Sequence, residues 1–319
     1  MINKRALSQR IEPPEISKVE LSHRRAVRIL YEMVPEKLYP PTKTPPKGYR
    51  ITRGFRAILC EKRVPYSIQI PLDRSLSFIG IKTKTRKIGP FFVTFRRNNV
   101  DNIFIQSVLI DKEYFWNGYS PHPEGIVIDI GANIGTFTLA VKAVAPLAQV
   151  ISVEPFPDSV DLLRRNIVQN ALQNIHVVPA GISDRNGHGL LHIGSSPGFH
   201  SMKFDTGRGH IVIDTLTLAE LFHRFEIERC DLLKIDCEGA EFDFLPKLEP
   251  DLWRRIGRIV MEFSAPIPGW TSANPTDSQI RSKLQFGDSL IDILVANGFV
   301  IDRYLDCVGF RAGYIFAHR

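Results

Sequence analysis

One stretch in the middle of the chain, with the pattern strand, tight turn, helix, strand, constrains the fold more than any other. Residues 126–130 (IVIDI) are a short apolar run rich in β-branched side chains, which is typical of a buried parallel strand. The turn at 131–135 (GANIG) follows, and its two glycines and asparagine permit a tight strand-to-helix connection. Helical spacing continues over 136–144, and a second strand over 149–153 ends on Glu154. This order of elements predicts a cradle for a nucleotide-like cofactor.

The residues of this turn indicate which cofactor it suits. A dinucleotide fingerprint requires glycine at positions such as Asn133, so a pyrophosphate is poorly served. S-adenosylmethionine (SAM) has no phosphate; it needs backbone amides and a carboxylate at its amino-acid end, and an acid for its ribose hydroxyls. Asp129 with Gly131 is predicted to supply the first, with Asn133 and Gly135 completing the turn, and Glu154 the second. In the alternative reading, Asp129 caps its own loop and Glu154 lies on a solvated turn.

Strands and helices alternate along the chain after this unit. Further strands are predicted at 176–178, 190–193, 211–213, 231–235 and 258–261, with a closing pair at 299–303 and 313–317. Helices are predicted at 102–116, 155–171, 239–248 and 278–297, and a Gly- and Ser-rich stretch at 194–210 is predicted to be a mobile surface loop. Because strands alternate with helices rather than bunching, the sequence predicts a doubly wound α/β sheet.

The charge distribution divides the chain into a predicted N-terminal extension, 1–99, and a main domain, 100–319. Residues 1–100 contain 22 lysines and arginines against 7 acidic residues, whereas the remainder contains 19 against 27. The extension is therefore expected to meet an anionic partner, whether nucleic acid, a phosphorylated substrate or a membrane surface, or else to pair with the acidic domain. Within it we predict a helix at 16–33, a proline-rich connector at 35–46, and short strands or a hairpin within 50–97.

Several classes of protein are disfavoured by the composition. No apolar stretch approaches the roughly 20 residues that a bilayer requires, so we expect no membrane span. The charged N-terminus lacks the apolar core of a secretory signal. The four cysteines (Cys60, Cys230, Cys237 and Cys307) lack the spacing of a zinc site or a disulfide framework. These features lead us to expect a cytoplasmic protein.

Three segments resemble the FkbM-type SAM-dependent methyltransferases: VIDIGANIGTFTL, VEPFPDSVDLLRRNI and KIDCEGAEFDFL. The resemblance covers about residues 100–265, and its most specific feature is the glycine turn combined with I-D-x-E-G-A-E. It implies a class I methyltransferase fold, with a seven-stranded sheet whose last strand is antiparallel. It also implies methyl transfer, most often to a hydroxyl of a sugar or other metabolite. Two departures are Thr217, where relatives carry an aspartate before a helix, and the long basic extension.

Candidate catalytic residues follow from positions at predicted strand ends, where ligands of doubly wound folds bind. Asp236 and Glu238 follow the fourth main strand and are predicted to remove the proton of a hydroxyl acceptor. Their alternative role is capping the helix at 239–248. His200 and His210 are further candidate bases.

Asp184 and Glu262 are two further acids at predicted strand ends. Asp184, just past the third strand, is predicted to accept a hydrogen bond from the adenine amino group. Asp236 and Glu262 would suit Mg²⁺, but no third ligand is evident and no metal is predicted.

These observations predict an enzyme that methylates a hydroxyl on a small molecule or glycan. One alternative is an RNA methyltransferase that uses the basic extension. Another is a SAM-binding module without catalysis.

Overall fold

The fold is taken from a computed structural model that describes residues 82–97, 99–267, 275–307 and 311–319. The predicted helix at 16–33, the predicted connector at 35–46 and residues 50–81 of the predicted strand region lie outside the described residues.

The strands of the described chain are short and follow the predicted order. They are β1 (Thr83–Ile88), β2 (Phe91–Arg96), β3 (Ile126–Ile130), β4 (Gln149–Val153), β5 (Ile175–Val178), β6 (Gly181–Ile182), β7 (Gly187–His192), β8 (His210–Leu216), β9 (Cys230–Asp236), β10 (Ile256–Ser264), β11 (Val300–Asp306) and β12 (Ala312–His318).

Seven of these strands form the main sheet, in the order β11-β12-β10-β9-β3-β4-β5. Strands β10, β9, β3, β4 and β5 run parallel to one another, whereas β12 runs antiparallel to β10 and β11. The predicted class I methyltransferase sheet, with its last strand antiparallel, is confirmed. Strands β6, β8 and β7 form a separate three-stranded sheet, and β1 pairs with β2 as a hairpin.

The helices occupy the connections between strands. They are α1 (Asp101–Phe104), which continues as a π-helix (Ile105–Ile110) and a 3₁₀ helix (Glu113–Gly118), α2 (Thr136–Val144), α3 (Pro157–Gln169), α4 (Leu218–Arg224), α5 (Glu241–Phe244) followed by a 3₁₀ turn (Leu245–Lys247), α6 (Pro250–Arg254) and α7 (Asp277–Ala296). Within the described ranges, no helix combines the length and apolarity needed to cross a bilayer.

Two predicted helices differ from the structure. The single helix expected at 102–116 is three short pieces. The second piece follows the first directly, and the left-handed conformation of Lys112 (φ 54°) separates the second from the third. The helix expected at 239–248 begins at Glu241, and its α-helical part ends at Phe244, before Pro246. By contrast Thr217 caps α4 by accepting a hydrogen bond from the Glu220 N–H (3.1 Å), so the aspartate common in relatives is not required.

The core lies on both faces of the main sheet. Consecutive residues of β3 point in opposite directions, so Val127 packs with Phe137 and Val141 of α2 while Ile128 belongs to the cluster on the other face. That second cluster includes side chains of α4, α5 and α7, such as Phe222. Each fully buried aliphatic side chain contributes roughly 1.5–3 kcal/mol, which explains why continuous apolar runs form the central strands.

The hairpin β1–β2 packs against α3 and supports the glycine turn from outside. Its buried residue Thr94 donates its N–H to Asn166 Oδ1 (2.7 Å), and Asn166 Nδ2 donates to the carbonyl of Ile134 (2.8 Å) within the turn. Arg96 pairs with buried Asp101 (3.1 Å). The hairpin belongs to the stretch that the sequence assigned to the N-terminal extension, and in the structure Asn166 of α3 links it to the glycine turn.

Candidate active site

A cavity lies beyond the carboxyl ends of β3, β4, β9 and β10, where sequence analysis placed the site. The predicted site residues that line it are Gly131, Asn133, Glu154, His200, Asp236 and Glu238. Those that lie outside its lining are Asp129, Gly135 and Asp184. The fold therefore brings together residues from two strand ends, two turns and one loop that are up to 107 positions apart in the chain.

The glycine turn requires the residues that it contains. Gly131 has φ +74°, and a Cβ there would lie 1.7 Å from the backbone carbonyl oxygen of Asp236. Asn133 also adopts a positive φ (48°). The N–H groups of Gly131 and Ala132 donate to the Val153 carbonyl (2.9 and 3.0 Å), which ties the turn to the end of β4. The turn thus packs backbone against backbone between β4 and β9, and any side chain at Gly131 would separate them.

Gly135, the last residue of the glycine turn, packs against α3. It has φ +90°, and a Cβ on it would approach Leu163 Cδ1 of α3 to 2.6 Å. Its role is the close packing of α2 against α3 rather than lining the cavity.

Glu154 presents a buried carboxylate at the end of β4. Its two oxygens accept hydrogen bonds from the N–H groups of Asn133 (2.8 Å) and Phe156 (2.9 Å). Burial raises the pKa of Glu154 to about 7, although both backbone donors oppose the shift. A carboxylate oxygen has two lone pairs, so each oxygen can still accept a hydroxyl.

Asp129 acts through a lysine that sequence analysis did not identify. Its carboxylate is fully buried, accepts from the Thr138 hydroxyl (2.9 Å) and lies 3.2 Å from Lys234 Nζ. Lys234 also donates to the carbonyls of Ile130 (3.1 Å) and Gly131 (2.8 Å). A lysine in the middle of the apolar strand DLLKI was the available signal, since a buried ammonium requires partners.

Lys234 is the cation of the site. Its Nζ lies 3.4 Å from Asp236, so one ammonium lies between two carboxylates on neighbouring strands. Burial disfavours the charged form, but Asp129 and Asp236 outweigh this and raise the pKa of Lys234 to about 12. Lys234 therefore stays charged.

Glu238 and Glu241 follow β9 but have different surroundings. Glu238 has φ +52°, lines the cavity, accepts from the Ser264 hydroxyl (3.1 Å) and lies 3.7 Å from Arg311. Burial raises its pKa to about 7. Glu241 accepts from the N–H groups of Gly239 (2.9 Å) and Ser264 (2.7 Å) and is fully buried. Glu241 thus fixes the turn that carries Glu238 and faces away from the cavity.

Two buried tyrosines, which sequence analysis missed, join the acids of β9 and β10. The Tyr314 hydroxyl donates to Glu262 Oε2 (2.6 Å). The Tyr114 hydroxyl lies 3.2 Å from Glu262 Oε2 and 3.2 Å from Asp236 Oδ2. All four side chains line the cavity.

The stretch predicted as a mobile surface loop packs over the cavity instead. The Ser201 hydroxyl donates to the Glu238 carbonyl (2.6 Å), and the Phe204 ring lies 3.4 Å from the guanidinium carbon of Arg311. A short 3₁₀ turn, Pro197–Phe199, lines the cavity next to His200. Phe204 accounts for part of this packing, because its half-buried ring lies against the turn after β9, where a Cβ on Gly239 would approach it to 2.9 Å.

The two histidine candidates are poorly placed to accept a proton. His200 Nδ1 already accepts the Gly194 N–H (2.9 Å), so its lone pair is engaged. Burial and the nearby Arg96 lower the pKa of His200 to about 4, which keeps it neutral. His210 is exposed on β8 and lies outside the cavity lining.

The remaining candidates from the sequence are Asp184, for the adenine amino group, and the pair Asp236 and Glu262, for a metal. Asp184 forms an ion pair with Lys247 outside the cavity, which lowers the pKa of its carboxyl. Ala180, Gly181 and Ile182 line that side of the cavity instead. Asp236 and Glu262 are adjacent in register, but in the described chain no three His, Cys, Asp or Glu side chains are grouped as metal ligands.

The lining of the cavity fits SAM. The buried carboxylate of Glu154 retains lone pairs for two hydroxyls. Acids at the other end, Asp236 and Glu238, suit the cationic sulfonium region. Apolar residues such as Val153 and Ile182 line the region near Glu154 and suit an adenosyl group.

The chain is similar in sequence to several curated proteins and in fold to solved structures. The chain is 25% identical over 258 residues to the AMB antimetabolite synthetase AmbE of Pseudomonas aeruginosa, which covers 66% of this chain and 12% of AmbE. It is 26% identical to the 2-O-methyltransferase NoeI of Sinorhizobium fredii, over 39% of this chain and 57% of NoeI. The chain thus spans less than two thirds of either relative. The Methanococcus jannaschii fibrillarin pre-rRNA processing protein aligns over 74% of this chain and 82% of its own, with 15% identity and a TM-score of 0.41.

The sequence model of the Methyltransferase FkbM domain family matches residues 129–301, which is more than half of the chain. The match begins at Asp129, at the end of β3, and extends into β11, so it contains the glycine turn and the acids that follow β4, β9 and β10. SAM is the cofactor of this family, and the lining of the cavity fits SAM. The chain belongs to the FkbM methyltransferase family.

Proposed function

We propose that this protein is a SAM-dependent O-methyltransferase whose acceptor is a hydroxyl of a sugar, glycan or other small metabolite. One observation carries the proposal: Asp236 and Glu238 line the same cavity as Glu154 and the glycine turn. The similarity to NoeI, a 2-O-methyltransferase, supports hydroxyl chemistry.

The cofactor, when bound, supplies a methyl group already activated by a sulfonium, so the protein has three tasks. It holds the acceptor oxygen in line with the methyl carbon, excludes water and accepts the hydroxyl proton. Glu154 is proposed to bind the ribose hydroxyls, and the turn at Gly131 to admit the amino-acid end.

Asp236 is proposed as the general base. Its side chain is 30% exposed, lines the cavity and lies 3.4 Å from Lys234 Nζ. Glu238 is the second candidate, but its pKa of about 7 leaves about half of the molecules protonated at neutral pH. A neutral carboxyl cannot accept the proton.

The acceptor class can be tested with a methyl-transfer assay that uses labelled SAM and a panel of sugars, phenols and RNA. Labelling of a sugar or other small hydroxyl compound would support the proposal. Labelling of RNA, together with RNA binding that weakens steeply with salt, would favour the RNA methyltransferase. The basic composition of residues 1–100 supports this alternative. SAM binding with no transfer to any acceptor would indicate a binding module.

Glu154→Gln is expected to weaken SAM binding about 10- to 100-fold at pH 8, because hydrogen bonds to a charged carboxylate contribute roughly 1.5–3 kcal/mol. In the wild-type protein the affinity should fall about tenfold between pH 8 and pH 6, because the ionised form of a group with pKa about 7 is the one that accepts both hydroxyls. Isothermal titration calorimetry with SAM at both pH values measures both effects.

The control is Glu249→Gln, an exposed glutamate outside the cavity, which should bind SAM as wild type does. If Glu154→Gln bound SAM with wild-type affinity at both pH values, Glu154 would not be the ribose-binding residue.

A further inference from the structure

Glu262 and Asp236 lie side by side on adjacent parallel strands. The register of β10 and β9 pairs Glu262 with Asp236, and the Tyr114 hydroxyl lies 3.2 Å from an oxygen of each. On the far side of Glu262, Tyr314 donates to the same oxygen at 2.6 Å. The four side chains therefore form one continuous chain of hydrogen-bonding groups, which runs from Tyr314 through Glu262 and Tyr114 to Asp236.

The number of protons in this chain decides its charge. Tyr114 has a single hydroxyl proton and can donate it to one of the two carboxyl oxygens at 3.2 Å. If both carboxyls were ionised, an oxygen of the other would face the tyrosine lone pairs. A proton on Glu262 removes that conflict, because Glu262 then donates to Tyr114, Tyr114 donates to Asp236, and every contact has one donor.

The surroundings indicate which carboxyl holds the proton. The Lys234 ammonium lies 3.4 Å from Asp236. Glu262 is contacted by two hydroxyls, and burial together with Asp236 raises its pKa well above the usual range. The ionisable groups that face Glu262 are Asp236, Glu238, Glu113, Tyr114 and Tyr314. Three of these are carboxyls, which oppose a further negative charge on Glu262.

We propose that Asp236 and Glu262 act as one unit, joined by the Tyr114 hydroxyl, which holds one proton when the site is empty and takes a second from the acceptor hydroxyl. This rests on the proposed O-methyltransferase function. As the acceptor oxygen forms its bond to the methyl carbon, its O–H bond breaks and the proton forms a new O–H bond on Asp236. The electron pair of the broken carbon–sulfur bond leaves with the donor sulfur.

In this arrangement Asp236 is the catalytic residue and Glu262 a positioning residue that acts through Tyr114. Neutral Glu262 orients the Tyr114 hydroxyl toward Asp236 and keeps the unit at a single negative charge. A glutamine has the same shape as a protonated glutamate and carries no charge. Glu262→Gln therefore removes the proposed proton without changing the charge of the unit.

The test is an infrared pH titration of the protein without cofactor or acceptor, in which the carboxylic-acid carbonyl band of wild type is compared with that of Glu262→Gln. Near pH 8 the difference spectrum should show one protonated carboxyl present in wild type and lost in the variant. Glu228→Gln, at an exposed position, is the matched control and should show no loss.

Unfolding in urea gives a second readout with a definite sign. A carboxyl whose pKa is raised on folding costs stability progressively as pH rises from its unfolded pKa toward its folded pKa. Glu262→Gln removes this cost, so its stability relative to wild type should increase as pH rises from about 5 to about 8.

The opposite results would overturn the proposal: no protonated carboxyl lost in Glu262→Gln near pH 8, or a variant whose relative stability falls with pH. If that variant does not fold, Asp236→Asn should instead lower the pH at which the Glu262 band disappears, and an unchanged midpoint would equally refute the shared proton. Because these measurements use the protein alone, failure to methylate any hydroxyl would refute the proposed function without affecting them.

Discussion

Gly131→Ala is expected to destabilise the protein by at least about 3 kcal/mol and to abolish SAM binding, the largest effect of any single substitution in the turn. Two causes add: the positive φ of +74° disfavours any side chain, and the new Cβ would lie 1.7 Å from the Asp236 carbonyl oxygen. Relief requires the turn and the end of β9 to separate, and this displaces Lys234, which donates to the Gly131 carbonyl. Chemical denaturation and calorimetric titration with SAM measure the two losses.

Gly207→Ala separates these two causes. Gly207 has a similar φ of +70°, but a Cβ there meets no atom within 4 Å. It should therefore cost only the roughly 1–2 kcal/mol of a left-handed side chain and leave SAM binding intact. Equal losses for both variants would mean that backbone conformation alone, and not the close contact with β9, explains the requirement for glycine at Gly131.

Asp236→Asn is expected to lower kcat about 10²- to 10⁴-fold, the range in which general bases contribute, once the acceptor is known. SAM affinity should change little, because Lys234 retains Asp129 and the carbonyls of Ile130 and Gly131. The asparagine keeps the size of the side chain but cannot take the acceptor proton. Single-turnover methyl transfer, with SAM affinity measured in parallel, separates the chemical step from binding.

Two further variants are compared with Asp236→Asn, one as a control and one as the alternative base. Asp292→Asn, at an exposed position on α7, should behave as wild type. Glu238→Gln should cost less than Asp236→Asn if Asp236 is the base, and more if Glu238 is. Full turnover in both cavity variants would exclude both acids as bases and would leave the methyl transfer without an assigned proton acceptor.

Much of the fold could be predicted from local sequence. The apolar runs that became β3 and β4 have the predicted bounds, and the glycine turn between them lies where its composition placed it. Burial on both faces of a parallel sheet produces such runs, so the strands and their alternation with helices can be read directly. The long piece at 102–116 failed this reading, because an apolar helical face does not reveal that Lys112 will break the helix.

The site was only partly predictable, for a physical reason. Glu154 and Asp236, predicted from their positions at strand ends, line the cavity because parallel strands place their carboxyl ends at one edge of the sheet. Asp184 satisfied the same rule, yet its carboxylate pairs with Lys247 outside the cavity. Position at a strand end gives the edge of the sheet, while the direction of the side chain depends on the neighbours that it meets.

The sequence by itself determined the order of strands and helices, the cofactor turn and the acids at the edge of the sheet. Only the tertiary structure decided which of these groups touch: Lys234 between two carboxylates, and Tyr114 against Glu262, 148 positions away in the chain. Such contacts arise when β10, β9 and β3 become neighbours, and no local sequence pattern predicts them. The protonation of the acids depends on these contacts and on burial, and both exist only in the folded state.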